Sequence, residues 1–435
     1  MNLNNTDSNE ITFSLENDLH LYDDYLQNQY SEYEYRDYDC QVDEGVQTIA
    51  DANALITSFH KTKKNSNWKS SIHHYEANLL KNTYQLKKEL ETDTYKQRDF
   101  HKFTINERGK TRCIKSLDIR DRVVQRSLCD NVLSYSIFNT LIHDNGACVP
   151  NKGISFSEER LCVHLQRYYR KYGNKGYVLK IDYSKFFDNV VHSEIMRMLS
   201  ERLKSQSVIS LCRNLISSFD IDVSYMSDDE FKNCYTALFN SLEYVKINPK
   251  LLTGEKIMHK SLGIGSQISQ LCGLLYLSEI DHYCKCCLSL EFYGRYADDL
   301  YILHPDKKEL ANILDTLITK STYYGQTINR DKTQIINMNR YFTFLKIQYK
   351  ISDTGKIIKI PARSKIISMQ RKIKSYKKLV DDDKMTIYDA FNNYRSWRGN
   401  MEKYDCYKSL LHVDDIFYRI FGIRWNDDPT KYEIL

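Results

Sequence analysis

Two adjacent aspartates, Asp298 and Asp299, constrain this chain more than any other feature of its sequence. They lie between two apolar segments, residues 292–297 and 300–303, in a pattern that predicts two β-strands joined by a tight turn. Adjacent carboxylates repel each other in such surroundings unless a cation neutralises them. The pair therefore indicates either a divalent metal site or a plain turn, in which aspartate is common.

A third carboxylate, Asp182, ends the apolar segment 176–182, which predicts another strand. A helix expected over about residues 192–203 leaves room for this strand to lie beside the 292–303 hairpin. Hard oxygen ligands suit Mg²⁺, with Mn²⁺ as a substitute, and two such ions about 3.5–4 Å apart can activate a hydroxyl and stabilise a leaving pyrophosphate. The three aspartates are therefore candidate ligands for two metal ions.

The spacing of apolar residues elsewhere predicts a mixture of helices and strands, which is typical of an α+β domain. Asp118 is placed to cap a helix over residues 119–133. The other predicted elements are a hairpin over 103–114, a helix over 268–287 after the loop 263–267, a helix over 309–324, a strand over 326–337, a hairpin over 341–349 and 356–360, and helices from 363 to about 421.

Charge is distributed unevenly along the 435 residues. The chain has 62 Lys+Arg and 57 Asp+Glu, yet residues 1–60 contain 13 acidic groups and one basic residue, Arg36. The rest of the chain holds 61 basic and 44 acidic groups. A basic body indicates a polyanionic partner, because lysine and arginine that neutralise phosphates release counterions. A solvated charged surface is the alternative.

Composition excludes several other classes of protein. With 42% hydrophobic residues, 5 Pro and 15 Gly, the chain is neither fibrous nor globally disordered. It has no run of eighteen apolar residues, and residues 1–7 lack the pattern of a signal peptide. The 12 Cys are expected to be reduced thiols. We therefore expect a cytoplasmic location and no membrane partner.

Several motifs resemble the palm of a reverse transcriptase. The YADD sequence at 296–299 and the DYSKFFD sequence at 182–188 resemble the strands that hold its metals. The GIGSQISQ loop at 263–270, the NRDKT segment at 329–333 and the FLK sequence at 344–346 are similar to segments that follow in the same order. The family usually has glycine at the last position of FLK, where this chain has lysine.

Further motifs extend the resemblance to about residues 95–410. The GKTR sequence at 109–112 and the DRVVQ sequence at 121–125 resemble the fingers, and the SWRG sequence at 396–399 resembles a thumb segment. The chain is thus similar to bacterial reverse transcriptases of the group II intron-like, diversity-generating retroelement and defence-associated lineage.

The resemblance implies an α+β right-hand polymerase with fingers, a palm of antiparallel sheet plus helices, and a helical thumb. We place an acidic N-terminal extension at 1–60, the fingers at 61–175, the palm with part of the fingers at 176–350, and the thumb with the C-terminus at 351–435. Because only about 15 residues follow position 421, we expect no endonuclease or ribonuclease H domain there.

Carried over residue by residue, the motifs also assign roles. The metal ligands would be Asp182, Asp298 and Asp299, with the carbonyl of Tyr183 as an additional ligand. The ring of Phe187 would lie beneath the incoming sugar, where it would clash with a 2′-hydroxyl and so select deoxynucleotides. Phe186 is available to fill the core, since adjacent residues of a strand point in opposite directions.

Other residues are implied to hold the nucleotide and the template. Lys110 and Arg112 would grip the triphosphate, one as a point charge and the other as a bidentate donor. Lys332 would lie near the departing pyrophosphate and donate a proton to it, and a solvated strand end is the alternative. The resemblance implies that three residues lie under the nucleotide or the template base, namely Gln267, Ser269 and Gln270. Many bacterial relatives have a different loop here, so the template preference stays open.

Residues 363–378 contain seven basic residues and no acidic one, with an apolar stripe at helical spacing. We expect the stripe to pack on the body of the thumb. The side chains expected to face the template–primer backbone are Arg371, Lys372, Lys374 and Lys378. A solvated basic helix is the alternative.

The resemblance implies an RNA-directed DNA polymerase whose partners are an RNA template, dNTPs and a DNA product. An RNA-dependent RNA polymerase is disfavoured by Phe187, and a catalytically silent RNA-binding scaffold is disfavoured because all three aspartates are present. The acidic extension resembles enzymes that act in antiphage defence with a non-coding RNA. A diversity-generating retroelement enzyme, or another group II-like retroelement enzyme, is the alternative. Template, primer and oligomeric state stay open, a homo-oligomer included.

Overall fold

A computed structural model of the chain describes residues 45–64, 66–107 and 109–428. Most of the predicted acidic extension, residues 1–44, lies outside them. The described part of the chain combines α-helices with antiparallel sheets, as the sequence predicted. Within the same ranges, no helix has the length and apolar character needed to cross a bilayer.

Helices are the most abundant elements of the described chain. In chain order they are α1 Val46–Ala50, α2 Ala52–Lys63, α3 Ser70–Ala77, α4 Leu79–Glu91, α5 Ile119–Leu128, α6 Ser134–Phe138, α7 Ile154–Tyr172, α8 His192–Ser200, α9 Gln206–Ser217, α10 Asp228–Asn233, α11 Ser241–Tyr244, α12 Gln267–Tyr276, α13 Ser278–His282, α14 Lys307–Tyr323, α15 Arg363–Asp381, α16 Ile387–Met401 and α17 Tyr407–Phe421. Shorter turns of 3₁₀ or π type are Cys129–Leu133, Phe186–Asn189, Pro249–Leu251 and Tyr283–Cys287.

The strands form four antiparallel groups. In chain order they are β1 His101–Glu107, β2 Lys110–Ser116, β3 Tyr177–Asp182, β4 Ile221–Asp222, β5 Ile257–Met258, β6 Tyr293–Tyr296, β7 Asp299–His304, β8 Gln334–Asn337, β9 Phe342–Phe344, β10 Ile347–Ile351 and β11 Ile357–Pro361. The groups are the hairpins β1-β2 and β4-β5, the three-stranded sheet β11-β10-β9, and the four-stranded sheet β6-β7-β3-β8.

The four-stranded sheet is buried on both faces because its side chains alternate between two cores. Leu179 and Ile302 belong to the larger core, which also contains the buried sides of the N-terminal helices. Val178 and Leu303 belong to a second core with α7 and the β11-β10-β9 sheet. The ends of this sheet are consequently held rigidly, which suits a site that needs fixed geometry.

The helical C-terminal unit was predicted correctly. Met369 and Ile373 of α15 pack with Phe391 of α16 and Phe417 of α17 in a core of their own. The predicted hairpin over 103–114 and the cap of α5 are also confirmed, since the amide of Arg120 donates to the carboxylate of Asp118 at 2.9 Å.

Three predicted elements differ in the structure. The strand predicted over 326–337 is restricted to β8, because the side chain of Asn329 accepts from the amides of Asp331 and Lys332 and folds residues 329–333 into a turn. The hairpin predicted from 341 is a three-stranded sheet. The helix predicted over 268–287 is divided into α12, α13 and a π turn.

Residues near the proposed domain boundaries clarify where the folded body begins. Ile49, Leu55 and Phe59 are buried in the larger core. The boundary placed at residue 60 falls inside α2, so residues 46–60 pack with the body that follows them. Between β4 and β5 the chain inserts α10 and α11 over a small separate core that contains Val223 and Phe239.

Candidate active site

The turn between β6 and β7 positions two of the three aspartates. Tyr296 pairs with Asp299, so Ala297 and Asp298 form a two-residue hairpin turn. The favoured turns of this length need positive φ at their first residue, and Ala297 has a φ of 54°. Asp299 then lies directly opposite Asp182 on β3. The fold thus brings all three predicted carboxylates to one end of the central sheet.

A buried arginine beneath this turn was not identified from the sequence. The guanidinium of Arg295 donates to the carbonyl oxygen of Ala297 at 2.9 Å. Its Nε and Nη2 atoms donate to the carboxylate of Asp281 at 2.8 and 2.7 Å, and both side chains are fully buried. The hairpin turn is therefore fixed from below by a charge-assisted pair.

The positive charge near the carboxylates at this end of the sheet does not offset their burial and mutual repulsion. Burial raises the pKa of Asp298, and repulsion from Asp299 and Asp182 raises it further. Burial also raises the pKa of Asp299, against the attraction of Lys180, whose Nζ lies 3.7 Å away. A divalent cation would relieve both effects, so the oxygen-only ligand set fits Mg²⁺ or Mn²⁺.

The three aspartates do not yet converge on a single point. Within the described ranges, no set of carboxylate oxygens taken one from each of the three aspartates lies within 4.8 Å of one another. Asp182 is instead paired with Lys332, whose Nζ lies 2.7 Å from Oδ2. Lysines 180 and 332 thus supply the positive charge next to these carboxylates.

Lys332 reaches Asp182 because of the turn at 329–333. The amide of Asn329 donates to the carbonyl oxygen of Asp182 at 2.8 Å, which fixes this turn at the end of β3. The side chain of Lys332 is about half exposed, at 55%, so its ammonium can move. The structure brings this residue together with the aspartates.

Phe187 lies in the 3₁₀ turn Phe186–Asn189 rather than on a strand. The expectation that Phe186 and Phe187 point in opposite directions is therefore wrong. Both rings pack on α12 at Gly273, where an added Cβ would lie 3.0 Å from Phe187 and 3.2 Å from Phe186. Phe186 is buried and Phe187 is half-buried, so only the second ring has a face near solvent.

The chain around Tyr183 joins the site to the core behind it. Its side chain is buried, and its hydroxyl lies 3.1 Å from that of Ser321 on α14. Tyr183 also forms an antiparallel bridge with Ile328, just before the turn that carries Lys332. These contacts fix the backbone that directly follows Asp182.

Lys110 and Arg112 are exposed on β2, two residues apart and so on one face of the hairpin. In the described part of the chain, no ion pair joins either of them to the three aspartates. At the base of the same strand, the amide of Lys115 donates to the carbonyl of Ile264 at 3.3 Å. The hairpin is thereby attached to the 263–266 loop.

The loop residues differ in their exposure. Gln267 donates to the carboxylate of Asp130 at 3.0 Å, and Ser266 donates to Gln125 at 2.7 Å. Gln270 is exposed, whereas Ser269 is only 1% exposed and lies inside the protein. As packed here, Ser269 is not in a position to touch a template base.

The basic residues of α15 lie away from its core. Met369 and Ile373 are buried in the C-terminal unit, which confirms the predicted apolar stripe at these positions. The basic side chains on the exposed part of the helix are Arg371, Lys372, Lys374 and Lys378.

Residues 96–349, more than half of the chain, match the family described as "Reverse transcriptase (RNA-dependent DNA polymerase)". The chain belongs to this family. The description of the family names an RNA-dependent DNA polymerase, which is a nucleotidyltransferase, and the α+β fold of this chain is that of a right-hand polymerase. Reverse transcriptases generally use divalent metals, and the donor set at the end of the central sheet agrees with that use.

Solved structures of telomerases are similar to this chain. A Candida albicans telomerase with a TWJ fragment of telomeric RNA shares 12% identity over 76% of this chain and 60% of its own, with a TM-score of 0.42. An apo Candida tropicalis telomerase truncated from its C-terminal domain shares 14% identity over 60% and 54%, with a TM-score of 0.43. The chain spans about three fifths of the first of these telomerases. No curated protein sequence matches it.

Proposed function

We propose that the chain extends a primer with dNTPs on an RNA template by two-metal phosphoryl transfer. The observation that carries this proposal is the register of the central sheet, in which Asp182 lies opposite Asp299 and next to the turn that holds Asp298. The raised pKa values of Asp298 and Asp299, caused first by burial, support a role for these residues as cation ligands.

Two Mg²⁺ ions, or Mn²⁺ in their place, would be held by Asp182, Asp298 and Asp299. Bound there, they would activate the primer 3′-hydroxyl and neutralise charge on the phosphates. The contribution of the protein is position and charge, supplied by a sheet that is buried on both faces. We include the carbonyl of Tyr183 as a further ligand, since buried contacts fix its backbone.

Lys332 is proposed to protonate or neutralise the leaving pyrophosphate. Its pairing with Asp182 keeps the ammonium at the site, and its exposure leaves it free to turn towards a phosphate. Lys110 and Arg112 are proposed to hold the triphosphate from the hairpin, and Gln267 to lie near the nucleotide. Lys110 and Arg112 lie on β2 and Gln267 on α12, so this role draws on two separate elements.

The ring of Phe187 is proposed to select deoxynucleotides. It packs against Gly273, so its position is fixed, and it is half-buried next to the strand that ends in Asp182. A fixed ring at this place would clash with a 2′-hydroxyl but not with a hydrogen. This selection favours DNA over RNA as the product.

The domains of a right-hand polymerase are proposed to follow the chain as an extension at 1–60, fingers at 61–175, palm at 176–350 and thumb at 351–435. Residues 46–60 of the extension pack on the body that follows them. Template contacts are proposed for Gln270 and for the exposed basic side chains of α15. The basic surplus of residues 61–435 supports nucleic acid as the partner.

The biological role is proposed to be antiphage defence in the cytoplasm, with a dedicated non-coding RNA as template. The acidic extension on a group II-like core supports this choice over a diversity-generating retroelement. Sequencing the RNA that co-purifies with the chain, and any DNA it makes in cells, tests the role. One recurrent RNA with complementary DNA supports it, whereas DNA copied from the transcript of a protein-coding gene would favour the retroelement.

The activity itself is tested by primer extension on RNA with the purified chain, dNTPs and Mg²⁺. Asp298→Asn with Asp299→Asn is expected to abolish synthesis and leave RNA binding intact, because the metal site is a small part of a broad basic surface. The matched control is Asp382→Asn with Asp383→Asn, an exposed adjacent pair after α15. Extension by the first double variant at the level of the control would contradict the assignment.

A further inference from the structure

A second group of metal-binding side chains lies apart from the three aspartates. Nδ1 of His192 is 2.8 Å from Oδ1 of Asp220, and Nδ1 of His259 is 2.9 Å from Oδ2 of the same carboxylate. One ligand atom from each residue lies within 4.8 Å of the other two. Two imidazoles therefore face a single carboxylate from different segments of the chain.

The environment of His192 fixes which of its nitrogens carries a proton. Nε2 lies 2.6 Å from the carbonyl oxygen of Ser261, and a carbonyl can only accept, so Nε2 must donate. In the neutral ring, Nδ1 then presents its lone pair to the carboxylate of Asp220. The lone pairs of Nδ1 and of Oδ1, on atoms 2.8 Å apart, would repel each other without a cation. That cation is either a proton on the imidazole or a metal ion bound by both groups.

A carbonyl that holds the outer nitrogen of a histidine is a common second contact around protein-bound zinc, because it orients the ring and fixes its tautomer. Two histidine nitrogens and one carboxylate oxygen also form a donor set that zinc accepts. We propose that His192, Asp220 and His259 bind Zn²⁺ or a similar divalent transition metal, with water at the fourth position.

The arrangement needs little movement to take the ion. Zinc lies about 2.0–2.2 Å from nitrogen and oxygen ligands, which sets tetrahedral ligand atoms about 3.3 Å apart. The two rings now lie against different oxygens of Asp220, at 2.8 and 2.9 Å, and one ligand atom of each residue lies within 4.8 Å of the other two. No separation in that set therefore has to change by more than about 1.5 Å to reach the tetrahedral value. The side chain of His259 is 58% exposed and that of His192 only 7%, so the exposed ring can swing while the buried one stays fixed.

Binding here would connect three segments next to the proposed sugar-selecting residue. His192 begins α8, Asp220 follows α9, and His259 follows β5. The chain after His259 continues to Leu262, whose amide donates to the carbonyl of Phe187 at 2.7 Å. The metal would thus stabilise the segment against which the turn carrying Phe187 is held, without sharing a ligand with the three aspartates.

Direct metal binding tests the site in the full-length chain. Exposed thiols also bind zinc, so Cys148, Cys286 and Cys287 are first replaced by serine, and the chain is stripped with a chelator. Zn²⁺ affinity is measured by calorimetry, and Co²⁺ is added as a spectroscopic probe of nitrogen ligation. Tight binding of one ion with a tetrahedral Co²⁺ spectrum, together with a higher Tm in Zn²⁺, is the expected result.

The variant His259→Ala is expected to weaken Zn²⁺ binding at least about tenfold and to remove the Co²⁺ spectrum and the Tm rise, because it deletes one ligand. Since His259 is exposed, the variant should fold. The matched control is His412→Ala, an exposed histidine on α17, which should bind as its parent does. Asp298→Asn with Asp299→Asn should also leave zinc binding unchanged, which separates this site from the proposed activity.

Equal zinc affinity in the His259→Ala variant and its parent would overturn the proposal. So would the absence of one-to-one binding in the parent. In either case, the three residues form a hydrogen-bonded cluster that holds no metal ion.

Discussion

Arg295 and Ala297 are joined by a hydrogen bond that links the core to the turn between β6 and β7. The Nη1 atom of the buried guanidinium donates to the carbonyl oxygen of Ala297 at 2.9 Å. The same guanidinium is neutralised by Asp281, which is also fully buried. Ala297 has positive φ and immediately precedes Asp298, so the arginine holds a residue whose backbone conformation determines where that carboxylate lies.

The first prediction follows from this pair. Arg295→Met leaves Asp281 as a buried, unpaired charge, so we expect a loss of about 3–5 kcal/mol in the free energy of unfolding. Adding Asp281→Leu removes that charge and should recover most of the stability. Neither variant holds the carbonyl of Ala297, so the double variant should fold yet extend primers more slowly than the wild type. Denaturant unfolding and primer extension measure the two effects.

Full recovery of both stability and extension in the double variant would contradict this positioning role. It would mean that the pair serves the core alone and that the turn holds its shape without the arginine.

The central hairpin could be predicted because its signals are local. Apolar segments on both sides of Asp298 and Asp299 define the two strands, and the apolar run that ends at Asp182 defines a third. A charged residue inside such a strand, as Arg295 is, could have indicated a buried partner. Its partner Asp281 is 14 residues away on a helix, so the pairing depends on tertiary packing.

Other features could not be inferred from spacing. The ligands proposed for zinc are separated by 28 and 39 residues, without the short intervals of a zinc motif. The orientation of Phe186 and Phe187 was predicted wrongly, because alternation applies to strands and both residues lie in a 3₁₀ turn beyond the end of β3. The small core between β4 and β5 contains short elements with weak periodicity.

The second prediction concerns sugar selection. Phe187→Ala removes the ring proposed to lie under the sugar, so we expect the preference for dNTPs over rNTPs in kcat/KM to fall by about 10- to 200-fold. Phe186→Ala is the control, since this ring packs on the same Gly273 but is buried. It should lower stability by about 3–5 kcal/mol and leave the preference unchanged. An unaltered preference in Phe187→Ala would place the selection elsewhere.

The third prediction concerns the pH dependence of stability through Lys115. Burial lowers the pKa of this residue to about 8, and nearby Lys102 contributes in the same direction. The unfolded chain keeps the proton to about pH 10.4, so between pH 8 and 10 the unfolded state binds more protons and this group makes stability rise with pH. One proton corresponds to a slope of at most about 1.4 kcal/mol per pH unit.

Lys115→Met should remove that slope, because methionine does not titrate and suits the rings of Phe100 and Phe219 beside it. The free energy of unfolding is measured for both proteins from pH 7 to 10, and the difference between them is expected to change with pH. Parallel curves would show that Lys115 titrates normally in the folded chain.

The last prediction concerns the exposed basic face of α15. Arg371 and Lys374 carry no ion pair within the described part of the chain, whereas Lys377 is already paired with Asp381. Contacts to phosphates release counterions and carry no base information. Arg371→Gln with Lys374→Gln should therefore weaken binding equally for all template sequences and reduce the slope of log affinity against log salt by about one to two.

The control is Lys307→Gln with Lys308→Gln, which removes two exposed charges from α14. Equal salt slopes for the two double variants would mean that α15 presents a solvated basic face rather than a nucleic-acid contact.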